Sequence, residues 1–369
     1  MQVLEINDPE QLAGYRLVWR HLLTDTRGAN FFQSPDWFET YWRHFGASQR
    51  LRVLVALDSD GPLGIMPLVV REERTRLGTM RVLTYPLHDW GTFFGPVGPQ
   101  PTATLLAGLD HVHRTHRDWD VVDLRWVHRD GADAGRTSHT MQSLGLCAYE
   151  QPWNEASIVD LRSTWDEYWA SLDSRWRNNV RRAEKKLAAH GTVEFIRYRP
   201  LGAADGQADP RWDLYNECEA LARSSWQGSS TSGTTLSHDA VRDYLRDAHA
   251  AAVHAGAADV NLLYVGGQPA AFAYNYCYRG HVFGLRAGYD SNVAREGAGH
   301  VLMARMLADS FQRGDHTFDL GPGSVDVKRY WRTSLEIGYR YTHFAPAGPR
   351  AQLLRLSRLA RACLKGASR

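Results

Sequence analysis

The first clear signal along the chain is an amphipathic helix over 34–45 (SPDWFETYWRHF). Ser stands at its N-cap, Pro at its first position and acidic residues in its opening turns. Two apolar runs, 51–57 (LRVLVAL) and 63–70 (LGIMPLVV), flank the turn Asp58-Ser59-Asp60-Gly61-Pro62 and predict a hairpin of buried strands. Strands follow at 81–84 and 121–124, separated by a helical pattern over 102–116. After a polar break at 129–136 the pattern restarts with a strand at 156–161 (ASIVDL) and a capped helix at 163–172. Loops rich in Gly, Ser, Thr and Asp at 202–210 and 227–237 flank a helix at 211–224, and long loops of this kind often act as substrate lids. A meander comes next: 261–265 (NLLYV), 269–278 (PAAFAYNYCY) and 281–289 (HVFGLRAGY), joined by Gly266-Gly267 and Arg279-Gly280. It leads into a helix over 295–312 and a short strand at 317–320.

The later order of strand, hairpin strand, strand, glycine-containing loop, helix and strand echoes the earlier one, so the chain reads as a duplicated α/β unit. Its 369 residues also exceed what one core usually organises. The expected fold class is α/β (α+β), with two tandem lobes, each a mixed, mostly antiparallel sheet flanked by helices. The lobes are assigned to 1–150 and 151–347, followed by a basic amphipathic tail at 348–369.

Composition changes this picture little. An apolar share of 43% and a charged share of 23% are ordinary for a globular protein, and a net charge of +2 argues against a dedicated DNA binder. No basic-then-apolar leader opens the chain, and no window approaches about 18 consecutive apolar residues. Cys147, Cys218, Cys277 and Cys363 are far apart and read as reduced thiols, so the cytoplasm is the expected compartment. His111, His113 and His116 do not all share a helix face and read as solvated surface rather than a metal site.

Candidate chemistry concentrates late in the chain. Gly297 and Gly299, in the run NVAREGAGHV, would let backbone N–H groups at a helix N-terminus approach a diphosphate, or would serve only to pack that helix on a sheet. On the helix over 174–190, Trp176, Val180, Ala183 and Leu187 form one apolar stripe. Arg175, Arg182 and Lys186 line one side of it, and Arg177, Arg181 and Lys185 the other. These rows are either a solvated face or a phosphate clamp, with Arg175 and Arg181 the leading contacts.

The combination of meander, loop and helix resembles the N-acetyltransferase (GNAT) fold. Phe318-Asp319-Leu320-Gly321 followed by Val327-Lys328-Arg329-Tyr330-Trp331 resembles the C-terminal signature of its CelD-like and FemAB-like branch. Segments 32–46, 85–95 and 171–191, the last with its RNNVRR core, extend the resemblance along nearly the whole chain. The chain departs from the pattern at Ala294, where Gln or Arg is usual, and at Val327, where an aromatic is usual. The resemblance implies acyl-CoA as co-substrate, held by Gly297, Gly299, His300 and Arg295, without a metal. It also implies that Lys328 stabilises charge on the acyl group in transit, with Trp90, Asp319 and Trp331 near the substrate.

Acyl transfer to an amine needs a neutral nucleophile, an oxyanion donor and a proton for the leaving thiolate. Asp89, with His88 as alternative, is the candidate base, though Asp89 also suits a loop cap. Tyr289 could protonate the thiolate or be a packed aromatic. Asp319 could orient Lys328 or cap the next turn.

Three functions remain open on these grounds. The first is an acyl-CoA-dependent N-acyltransferase acting on an amino sugar, amino acid or similar amine. The second is a FemAB-like ligase using aminoacyl-tRNA, and the third a non-catalytic accessory protein of polysaccharide biosynthesis. The tail carries Leu353, Leu356, Leu359 and Cys363 near one face with only basic charges elsewhere, so it either packs or lies peripherally on an anionic membrane.

Overall fold

The structure, a computed structural model, describes residues 1–86, 88, 91, 95–225, 235–290, 296–321 and 325–366, with side chains described as far as residue 360. Asp89, Trp90 and Arg295 lie outside the described residues. The strands are β1 (Gln2–Ile6), β2 (Gln49–Leu57), β3 (Pro62–Thr75), β4 (Gly78–Thr84), β5 (Val121–Val127), β6 (Tyr149–Asp160), β7 (Val193–Tyr198), β8 (Ala258–Val265), β9 (Gln268–Tyr278), β10 (His281–Tyr289), β11 (Thr317–Asp319) and β12 (Ser334–Phe344).

The chain divides into two compact units, Met1–Asn154 with Ile337–Arg369, and Glu155–Glu336. Residues 337–347, expected in the second lobe, therefore cluster with the first, because β12 pairs antiparallel with β5 from Tyr339↔Val127 to Phe344↔Val121.

In the first unit the order is β1-β2-β3-β4-β5-β12. β1 to β4 form an antiparallel meander, and β4 runs parallel to β5 through Val82↔Val121 and Leu83↔Val122. The predicted helix is present as Pro35–Phe45, with the Ser34 hydroxyl accepting from the Trp37 N–H. The helix Pro101–Arg114 packs on the meander at Gly108, where a Cβ would come within 2.5 Å of the Met66 sulfur.

The second unit repeats this order as β7-β8-β9-β10-β11-β6. Its meander is antiparallel, β10 runs parallel to β11 through Val282↔Phe318, and β6 pairs antiparallel with β11. Each unit thus has four antiparallel strands, a parallel fifth and an antiparallel sixth, and the helix Ala298–Arg313 occupies the sequence place of Pro101–Arg114.

The core of the second unit joins Val301, Leu302 and Leu307 of that helix to Ala271, Ala273, Val282 and Phe318 of the sheet. Val180, Ala183 and Leu187 of the basic helix Ser174–Ala188 complete it. The apolar stripe of the basic helix is thus the face it buries. Each large aliphatic side chain so covered contributes about 2 kcal/mol of hydrophobic stabilisation.

A charged layer lies beside this core. Arg197 reaches the Asp259 carboxylate at 2.8 Å, and Arg199 reaches Asp315 at 2.9 Å. Asp259 is fully buried; burial alone would raise its pKa, but Arg197 and Arg199 overcome this and hold the carboxyl far below the usual range. Among the thiols, Cys147 is exposed while Cys218 and Cys277 are buried, and none of these three is in a disulfide. His111 is half-buried and meets the Glu5 carboxylate at 2.7 Å rather than facing solvent freely.

Candidate active site

In the second unit the parallel ladder between β10 and β11 stops part-way along β10. β10 is in register with β11 only over His281–Phe283 and 317–319, yet it continues along β9 as far as Tyr289. A bulge between Gly284 and Arg286 marks the separation, and bulges bend and twist the strand that carries them.

Two glycines make this junction. A Cβ on Gly284 would lie 2.9 Å from the Asp319 carbonyl oxygen, and one on Gly321 would lie 2.3 Å from the Gly284 carbonyl oxygen. Gly321 also has φ +79°, a left-handed conformation that favours glycine.

On one side of this junction stand the end of β10 and the start of the helix Ala298–Arg313. Tyr289 ends β10 and is 38% exposed, and a Cβ on Gly299 would touch its ring at 3.4 Å. Gly297 precedes the helix with φ +85° and, having no side chain, does not itself cap the helix start. Its first N–H groups and its dipole therefore suit an anion. Gly297 has a packing role as well, since a Cβ there would come within 2.8 Å of the Ala183 Cβ in the basic helix. The packing reading therefore holds at Gly297, while Gly299 lies beside the Tyr289 ring at ordinary contact distance.

On the other side stands Lys328, at the end of the short helix Val325–Lys328. Its ammonium donates to the Gly321 carbonyl oxygen, which ties it to the junction where the strands part. Burial pushes its pKa down to about 8; Asp319 opposes that shift and Arg286 adds to it. Asp319 is buried, and its Oδ1 accepts from the Gly321 N–H at 2.8 Å. It thus both caps the turn and places negative charge near Lys328.

An aromatic wall connects the two sides. Trp176 stacks on Tyr330 with ring centroids 4.5 Å apart and meets His300 edge-on at 4.8 Å. Burial lowers the His300 pKa below the usual histidine range. Trp331, expected at the substrate, is instead 3% exposed, with its ring 5.6 Å from Trp176 and its carbonyl accepting from the Tyr168 hydroxyl at 2.5 Å. The exposed member of the pair is Tyr330.

Arg175 and Arg181 are exposed on the basic helix, and the Arg181 guanidinium lies 6.0 Å from the centre of the Trp169 ring. His88 belongs to the first unit, where its ring stacks at 4.6 Å on Phe45. The structure therefore gathers Tyr289, Gly297, Gly299, His300, Asp319 and Lys328 within one unit. Sequence reasoning singles out neither Gly284 nor Arg286, and it takes in Gly321 and Tyr330 only as parts of the C-terminal signature. The Gly-Leu-Arg sequence at 284–286, a glycine inside an apolar strand, was the available sign of a bulge.

Comparison with known proteins agrees with this geometry. Residues 174–329, which contain the described site apart from Tyr330 and Trp331, match the acetyltransferase (GNAT) domain model. No curated protein matches the sequence. Among solved structures, FemX is 13% identical with a TM-score of 0.64, covering 96% of this chain and 99% of that one. L-PGS from Bacillus licheniformis is 14% identical with a TM-score of 0.55, covering 96% of each chain. At such identities the likeness is one of fold, and it extends over both units. Among the described residues no group of His, Cys, Asp or Glu could hold a metal ion, and no helix is long and apolar enough to cross a membrane. Residues 174–329 thus form an acetyltransferase (GNAT) domain, the chain is an acyltransferase by that domain, and over both units it shares its fold with FemX and L-PGS.

Proposed function

We propose that the second unit transfers an acyl group from acyl-CoA to the amine of an amino sugar, amino acid or similar metabolite, by direct attack in a ternary complex. The observation that carries this reading is the parting of β10 and β11 at the Gly284–Gly321 contact. On one side of it stands the helix start at Gly297 and on the other the buried ammonium of Lys328.

The residues present suit such a co-substrate. The helix start beyond Gly297 would hold the diphosphate through main-chain N–H groups, with Gly299 keeping the approach open. Lys328 would stabilise negative charge developing on the carbonyl oxygen as the amine nitrogen bonds to the carbonyl carbon and the carbon–sulfur bond breaks. Tyr289 would supply the proton taken up by the departing thiolate. The amine attacks in its neutral form, and the proton it loses as the bond forms passes to solvent water.

Titration calorimetry with acetyl-CoA and longer acyl-CoAs tests the donor. Saturable binding is expected, whereas no heat with any of them ends this version. In turnover assays Lys328→Met should lower kcat about a hundredfold, the size typical of removing an oxyanion donor.

The exposed cations of Ser174–Ala188 favour a second reading, in which the donor is an aminoacyl ester on tRNA. Reversing Arg175 and Arg181 to Glu separates the two. Loss of charged-tRNA binding with acyl-CoA binding absent supports the ligase, and unchanged acyl-CoA turnover supports the first reading.

A further inference from the structure

The helix Pro349–Gly366 docks on the first unit through a face that its sequence alone does not single out. Ala351 and Leu354 are buried, and the Gln352 side-chain amide donates to the Ala345 carbonyl oxygen at 2.9 Å. Arg355 lies 5.3 Å over the Tyr149 ring and Arg358 5.3 Å over the Phe344 ring. The leucine-rich stripe points elsewhere: Leu353 is 55% exposed, Leu356 60% and Leu359 40%. Leu353 and Leu356 are three residues apart, and Leu359 continues the series. They present one apolar ridge along an already anchored helix.

The charge around this ridge identifies what covers it. From residue 345 to the end the sequence holds Arg350, Arg355, Arg358, Arg361, Lys365 and Arg369 and neither Asp nor Glu. A second copy of this face would set cations against cations. An anionic lipid surface matches both features, because its negative potential attracts a segment of net positive charge while its acyl boundary accepts the leucines.

We propose that this helix is a peripheral docking surface for anionic lipid, with Leu353, Leu356 and Leu359 entering the interface and the net positive charge of the segment, which opens on the exposed Arg350, drawing it to the headgroups. No described helix is long and apolar enough to cross a bilayer, so the contact lies along the surface. This brings the chain to a membrane independently of which donor the second unit uses.

Co-sedimentation of the full chain with vesicles tests it, comparing phosphatidylglycerol mixed into phosphatidylcholine with phosphatidylcholine alone. Binding is expected only with phosphatidylglycerol, weakening as salt rises. The double variant Leu353→Glu with Leu356→Glu should bind about tenfold less or worse, because it puts carboxylates on the apolar ridge. Both positions are exposed, so the variant should keep the parent melting temperature, which is measured alongside. Failure of the parent chain to bind these vesicles at low salt overturns the proposal, as does equal binding by a folded variant. Light scattering that shows a parent dimer abolished in the variant also overturns it, in favour of a second copy.

Discussion

Lys328 is the residue whose environment says most about the chemistry. A lysine ordinarily stays charged far above neutral pH, but here burial brings its pKa to about 8 from 10.5. Its ammonium is present below that value and lost above it, so catalysis that relies on the charge should decline as pH rises through 8. The unfolded chain keeps the ordinary value and binds more protons between about 8 and 10.5, so in that window the same group makes folding more favourable as pH rises. Activity and stability should therefore diverge. With an acceptor amine already neutral at pH 7, kcat/KM should fall about tenfold per pH unit above the transition while the melting temperature holds. Lys328→Arg should remove that decline, since a guanidinium does not titrate in this range. A profile for the parent chain that is flat to pH 10 would sink the role given to this ammonium.

At the scale of elements, the opening of Ala298–Arg313 separates packing from binding within three residues. Gly299→Ala adds a methyl at ordinary contact distance from Tyr289 and should change little, whereas the branched side chain of Gly299→Val must push that ring aside. Donor affinity should drop about tenfold in the valine variant with stability nearly unchanged. Gly297→Ala should instead cost about 1–3 kcal/mol of stability, because its left-handed backbone and the Ala183 methyl both oppose a Cβ. Calorimetry and thermal melts on the three variants check this, and equal donor affinity in parent and Gly299→Val would leave that glycine with packing alone. The same elements show what the sequence made legible. The meander, the basic helix and its buried stripe followed from periodicity, and β10 was read with its observed limits. The bulge at 284–286 was not, because one glycine in an apolar strand signals it too weakly. Nor did the pattern distinguish Trp331 from Tyr330: two adjacent aromatics look alike until packing puts one against Trp169 and leaves the other exposed.

On the scale of the whole molecule, the repeated strand order explains why the boundary near residue 337 differs from the one that local pattern reading gives. β12 alternates as β-sheet should, with Tyr339, Tyr341 and His343 on one face, but its partner β5 lies more than 200 residues earlier. Periodicity carries no information about a partner so distant. The first unit therefore depends on the end of the chain for its sixth strand. A chain ending at residue 336 should leave β5 without the Tyr339–Phe344 ladder and uncover an apolar edge, a strong aggregation signal. A chain ending at residue 348 keeps that ladder and loses only the helix over Ala351 and Leu354, so it should remain folded, with a lower melting temperature and no affinity for anionic vesicles. Hydrogen exchange at β5 reads the difference directly: protection should persist in the longer chain and collapse in the shorter one. If the chain ending at 336 stays soluble with β5 protected, the pairing of β12 is dispensable and the first unit is complete without it.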